Sequence, residues 1–211
     1  TNDWNIRNMA NTELRRDKLR KLLKKTDAQA VLVTGVHNVT YLTGFTGDSS
    51  YLLLTAKDEL ILSDKRYTTQ LEGECPDIKF EVRGPDVKMH EQLAQVAKRM
   101  KIRTREFESQ HVSVATFSVW EKQLESVELV PTSDLVEQLR MIKDKEEIQI
   151  IQDSVECAQR AFDVVKASLR KDQTEKQVAD LIEAQVRLFG GDCTSFSPIV
   201  AVGPQAALPH A

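Results

Sequence analysis

Seven side chains in this 211-residue chain could titrate or attack near neutral pH: His37, His90, His111 and His210, with Cys75, Cys157 and Cys193. Their spacing decides which chemistry is on offer. None of the histidines falls into a metal-site pattern with a second histidine or an acidic residue. His90 and His111 read as surface residues at element edges. His37 sits in a glycine-containing loop, where a local backbone hydrogen bond occupies it. His210 follows Pro209, downstream of Thr194-Ser195-Phe196-Ser197 and Gly203-Pro204. Spacing alone makes it a turn histidine, although an imidazole in a cleft can also shuttle protons. The cysteines are odd in number and widely spaced, with no Cys-x-x-Cys pair, and read as free thiols in a reducing compartment. Cys193, beside Gly190-Gly191, is the candidate for a catalytic thiol, but no base partner lies near it in sequence. No Gly-x-Ser-x-Gly elbow, Walker loop or dinucleotide fingerprint is present.

Charge narrows the classes further. Lys and Arg number 29 against 32 Asp and Glu, a net charge of −3, so there is no basic excess to neutralise phosphates and a nucleic-acid partner is not expected. Aliphatic runs such as Leu52–Leu54 and Ile150–Ile151 fall far short of the roughly 20 residues that span a bilayer. Residues 1–16 are polar and lack an apolar stretch of signal-peptide length. The expectation is a cytoplasmic protein with no membrane partner.

The elements that must position these residues follow from periodicity. Residues 12–25 are rich in Lys and Arg, with Leu19, Leu22 and Leu23 at helical spacing, and predict an amphipathic helix with a solvated basic face. Ala30–Val33 reads as a buried strand, and Gly35, Gly44 and Gly47 as punctuation of the loop after it. Tyr51–Leu54 and Leu60–Leu62 form a strand pair across the Lys57-Asp58-Glu59 turn. Strand 78–82, helix 87–100, strand 105–108, helix 113–124 and strand 127–130 complete an α/β layer domain with a mixed sheet.

Pro131-Thr132-Ser133 breaks the pattern and marks the expected boundary between domains 1–131 and 132–211. Thr132 or Ser133 can cap a helix carrying Leu135, Leu139 and Ile142. Asp144 with Glu147, and Thr174 with Gln177, have capping-box spacing. Ile148, Ile151, Val155, Ala158, Phe162, Val165 and Leu169 step by three and four, a stripe that should face a core. A further helix through Val178, Leu181, Ile182 and Phe189 ends at Gly190-Gly191, before an expected strand at 198–202. Two amphipathic helices with one strand cannot bury their faces alone, so 132–211 reads as the opening part of a domain.

Several segments resemble the aminopeptidase P, prolidase and creatinase superfamily. Asn38-Val39-Thr40-Tyr41-Leu42-Thr43-Gly44-Phe45-Thr46-Gly47 and Asp64-Lys65-Arg66-Tyr67 are similar to its N-terminal domain. Leu139-Arg140-Met141-Ile142-Lys143-Asp144-Lys145-Glu146-Glu147-Ile148, Thr174-Glu175, Gly190-Gly191, Ser195 to Gly203, and Pro209-His210 resemble the start of its catalytic domain. The resemblance runs in order over residues 12–211. It departs at Asp48-Ser49-Ser50 and Asp172-Gln173, where the family often has small residues or glycine.

The resemblance implies a creatinase-type α/β domain followed by an incomplete pita-bread catalytic domain. It also implies hydrolysis of the peptide bond before proline, as an aminopeptidase P rather than a prolidase, by two divalent metals, manganese or cobalt. Metal ligands are expected after Ala211, so the chain itself should bind no metal pair and be inactive. His210 takes the family's substrate-binding and proton-moving position. A peptide with proline second is the implied substrate and a homodimer the implied assembly. For Asp64-Lys65-Arg66-Tyr67 two readings stand: a helix cap with a packed tyrosine, or a subunit contact. A metal-free creatinase-like amidinohydrolase, with His210 as acid and base, and a non-catalytic binding module of the same fold are the alternatives.

Overall fold

Half of the sheet, at residues 30–33, 51–55 and 59–64, is assembled from runs that are apolar on both sides. In the computed structural model residues 2–209 are described, with side chains from position 11 onward. The elements are α1 (Asn2–Leu23), β1 (Ala30–Val33), α2 (Val36–Thr43), β2 (Tyr51–Thr55), β3 (Glu59–Asp64), α3 (Thr68–Glu74), β4 (Phe80–Arg83), α4 (Met89–Arg99), β5 (Thr104–Glu108), α5 (Val114–Gln123), β6 (Glu128–Thr132), α6 (Leu135–Met141), α7 (Lys145–Ser168) and α8 (Glu175–Leu188). Strand order is β4-β3-β2-β1-β5-β6. β1–β2 and β2–β3 run antiparallel and the other pairs parallel, a mixed sheet.

Alternation along β1 divides the core. Val31 and Val33 face one layer with Leu52, Leu54 and Ile61, covered by Leu19 and Leu23 of α1, Val39 and Leu42 of α2, and Val136 of α6. Ala30 and Leu32 face the other with Leu53, Leu60 and Leu62, covered by Leu93 and Val96 of α4 and Trp120 of α5. Helices on both faces explain why β1 to β3 are continuous apolar runs.

Four local expectations change. The segment after Gly35 is helical, not a loop: α2 ends at Gly44, whose left-handed φ of 78° lets its N–H reach the Thr40 carbonyl. Its Val and Thr content hid it, because β-branched residues are poor helix formers. His37 is accordingly an exposed residue in the first turn of α2. The basic face of α1 is not simply solvated. Arg16 is 2% exposed, donates to Leu42 O at 3.0 Å and pairs with Asp77 at 2.9 Å. The Arg15 guanidinium lies 4.3 Å over the Tyr41 ring. Both reach the C-terminal end of α2, where carbonyl dipoles favour a cation. Finally, residues 198–202 form no strand, since no other strand follows β6 among the described residues to supply ladder partners.

Contacts divide the chain into a unit reaching Ile142 and a unit from Lys143 onward. The division falls after α6, not at Pro131, because α6 buries Val136 in the first unit's core. In the second unit both expected capping boxes form. Asp144 and Glu147 exchange bonds of 2.9 Å, and Thr174 and Gln177 exchange bonds of 2.9 and 3.2 Å. The α7 stripe is mostly uncovered. Ala161 and Val165 are buried, whereas Ile148, Ile151, Val155 and Phe162 are 46 to 62% exposed.

Candidate functional site

In the first unit, polar groups from β5, α2 and α6 meet at one point. The pleat of β5 sends Glu106 and Glu108 to the face opposite Phe107. Glu108 is 3% exposed and reaches the start of α2. Its Oε2 accepts from Thr34 N at 2.6 Å and Gly35 N at 2.8 Å, so the protein's own carboxylate fills the anion position of that helix terminus. Its Oε1 accepts from Asn38 Nδ2 at 2.6 Å. On α6, Glu137 and Arg140 share a face by their spacing of three. Glu137 Oε1 accepts from the same Asn38 Nδ2 at 2.6 Å, and Arg140 donates to Asn38 Oδ1 at 2.7 Å. The guanidinium can only donate and the carboxylates can only accept, which fixes the orientation of the amide. His111 Nε2 lies 3.0 Å from Glu137 Oε1. Its ring leaves no space at Gly35, where a Cβ would sit 2.7 Å from His111 Cδ2. Burial works to raise the Glu137 carboxyl, but the bonds from His111 and Asn38 outweigh it and hold the group below the ordinary carboxylate range.

Glu108, His111 and Glu137 are the group of three potential metal ligands found among the described residues. They do not fit a cation. Glu108 already accepts three N–H groups, and the Asn38 amino group stands between the two carboxylates with both its hydrogens committed. A cation there would displace a donor that Arg140 locks in place. The cluster is a satisfied polar network and performs no metal chemistry.

Among the histidines His111 departs from the sequence expectation, whereas the cysteines are free thiols as expected. His111 belongs to this network and is not merely a surface residue. His90 sits half-buried in the first turn of α4. His210 lies outside the described residues. Cys75 is buried, donates to Thr43 O at 3.3 Å, and burial pushes its thiol up to about 12, which makes it unreactive. Cys157 is half-buried and Cys193 exposed; all three thiols are free. Asp64 accepts from Arg66 N at 3.0 Å and caps a 3-10 turn, Lys65–Tyr67. The Tyr67 ring stands edge-on to Phe45 at 5.5 Å. The cap-and-packing reading of that motif holds.

Sequence reading missed Asn38, Glu108, Glu137 and Arg140 as a group. No local signal grouped them: β5 carries Arg105 and Glu106 beside Phe107, so Glu108 does not stand out in it, and nothing near it in sequence names the partners its buried carboxylate needs.

The second unit contains a groove of about 750 Å³ between α7, α8 and the loop after them, lined by Cys157, Phe162, Val186, Phe189 and Phe196. It is mostly apolar, with Asp153 and Asp192 also in its lining.

A mixed sheet clothed by helices on both faces, leading into a capped helix pair, defines a two-part α/β class of protein. Two family matches divide the chain in the same way: the Creatinase/Prolidase N-terminal domain over residues 15–142 and Metallopeptidase family M24 over 149–211. The chain belongs to the aminopeptidase P and prolidase superfamily, carrying its N-terminal domain and the start of its catalytic domain. It is 31% identical over 199 residues to the uncharacterized peptidase YqhT of Bacillus subtilis, covering 92% of this chain and 54% of that protein. The structure of an Xaa-Pro dipeptidase from Bacillus anthracis superposes with a TM-score of 0.87 at 28% identity, over 95% of this chain and 56% of that one. An X-Pro aminopeptidase from Thermotoga maritima gives 0.79 at 30% identity, over 89% and 54%. The chain thus spans about half the length of the relatives it matches. No helix among the described residues is long and apolar enough to cross a membrane.

Proposed function

We propose that this chain serves an Xaa-Pro metallopeptidase of the cytoplasm, hydrolysing the bond before proline in peptides with proline at the second position. The observation that carries this reading is the order of the two matches. An N-terminal creatinase/prolidase domain leads directly into the beginning of a metallopeptidase domain, and relatives similar over nine-tenths of the chain bear Xaa-Pro peptidase names. Family M24 implies divalent metals, manganese or cobalt in this proposal. Their ligands are not supplied by the network around Asn38, so catalysis belongs to residues outside the described ones. His210 is assigned to substrate binding and proton movement, and the 211-residue chain alone is inactive. The assembly is a homodimer.

The test is an Xaa-Pro cleavage assay on the gene product carried to its natural stop codon, with manganese and with chelator. Metal-dependent release of the residue before proline is expected, with turnover lowered by about 10²-fold or more in His210→Ala and an unchanged melting temperature. Equal rates for His210→Ala and the parent would remove His210 from the mechanism. No cleavage with or without metal would overturn the peptidase reading, and creatine would then be the substrate to try. Dipeptides against longer peptides separate prolidase from aminopeptidase P specificity.

A further inference from the structure

The network around Asn38 gives no metal site, yet its construction has a mechanical consequence. α6 is seven residues long and buries one side chain completely, Val136. Leu135 and Leu139 are only partly covered. Its first residue follows Asp134, which is left-handed with φ of 60° and makes no side-chain cap. An L-residue is disfavoured in that conformation. Asp134 is held instead from outside the helix: its N–H donates to Gln110 Oε1 at 3.2 Å, and its Oδ1 accepts from Gln110 Nε2 at 3.0 Å. The middle of α6 is held by Asn38 and His111 through Glu137 and Arg140. Its end is held by the Tyr41 hydroxyl, which donates to Leu139 O at 3.3 Å. Its residues are mostly good helix formers, but a helix of seven residues is too short to hold by itself, and its apolar anchorage is Val136 with the partly covered Leu135 and Leu139. Side-chain bonds to α2 and to the turn after β5 supply the rest.

We propose that α6 is a strap that opens and closes as a unit while the six-stranded sheet stays folded, with Asn38 as the pin that keeps it shut. The strap is the last element of the first unit, so it governs how firmly the chain is held where it leaves the sheet.

Native-state hydrogen exchange tests this on the 211-residue chain, residue by residue and with increasing urea below the unfolding midpoint. In the wild type, amides of 138–141, the ones bonded within the helix, are expected to exchange through an opening that depends less on urea than the global unfolding seen at β1–β3. Glu137→Ala removes one carboxylate from the pin and inserts a better helix former, so faster exchange cannot be a propensity effect. Exchange at 138–141 should rise by about 10-fold, with β1–β3 unchanged. Arg140→Met, which leaves Asn38 Oδ1 without its donor, should act in the same direction. Equal acceleration of α6 and the sheet, or α6 amides as slow and as urea-dependent as the sheet in the wild type, would overturn the strap. So would unchanged exchange in both variants.

Discussion

The two units of this chain are stabilised by different kinds of interaction. In the first, Leu32, Leu53 and Ile61 are fully buried, and polar groups up to 102 residues apart, such as Asn38 and Arg140, bond to one another. In the second, α8 buries no residue completely, and the apolar stripe of α7 is largely open. What that unit does have is local: two capping boxes, i to i+4 ion pairs, and amphipathic periodicity. The difference separates helices marked by their own ends from helices packed on a core. A helix pair with an open apolar face gains little of the burial that dominates folding free energy.

Core truncation should expose this contrast most strongly. Leu53→Ala in the first unit is expected to cost about 3 kcal/mol in urea denaturation. Phe162→Ser in the second, 62% exposed at present, should change stability by less than about 0.5 kcal/mol and reduce self-association in sedimentation runs. Comparable losses at both sites would erase the distinction.

A smaller effect of opposite sign is expected at Arg105. This residue is fully buried, none of its guanidinium nitrogens has a hydrogen-bond partner, and its nearest compensation is the Trp120 ring at 5.5 Å. Burial pulls it down to about 10. Arg105→Leu should raise the first unit's stability by about 1–3 kcal/mol, since a desolvated cation is removed from an apolar layer. A loss of stability would mean that the cation–π contact outweighs desolvation.

In the second unit, Thr174→Ala should cost about 1 kcal/mol, read as lost helicity of α8 by chemical shift or circular dichroism. Below that in size comes acid sensitivity of the first unit. Glu137 has a depressed carboxyl, so its contribution is fully present above its ordinary value of 4.5 and is lost as pH falls through its lower folded value. Glu137→Gln should flatten the fall of melting temperature below about pH 5; an unchanged slope would assign that fall to other carboxylates. The smallest effect is expected at the exposed Lys176–Asp180 pair, 3.0 Å apart. Asp180→Asn should cost no more than about 0.5 kcal/mol and nothing measurable at high salt.

The same division explains what could be read from the residues alone. Helices α4, α5, α7 and α8 and the β2–β3 hairpin carry their signals within a few residues, and all were legible to within about two positions. The caps at Asp144 and Thr174 were legible for the same reason. Helix α2 was not, because Gly35 and Gly44 bracket it and its Val and Thr residues argue against a helix. The strand expected at 198–202 failed because a strand needs partners, and periodicity cannot show whether they exist. The Asn38 network was invisible because its members come from three distant segments, and no local rule links Asn38 to Glu108 or Glu137. His111 looked like an edge residue because its role depends on a helix that begins more than 20 positions later.

Limited proteolysis of the 211-residue chain, followed by mass spectrometry of the products, tests the central contrast most directly. Rapid cleavage within residues 145–202 is predicted, leaving a resistant product that ends near Ile142. A monomeric chain equally resistant in both units would contradict the account, because α7 and α8 would then be held by more than their caps and their contact with each other.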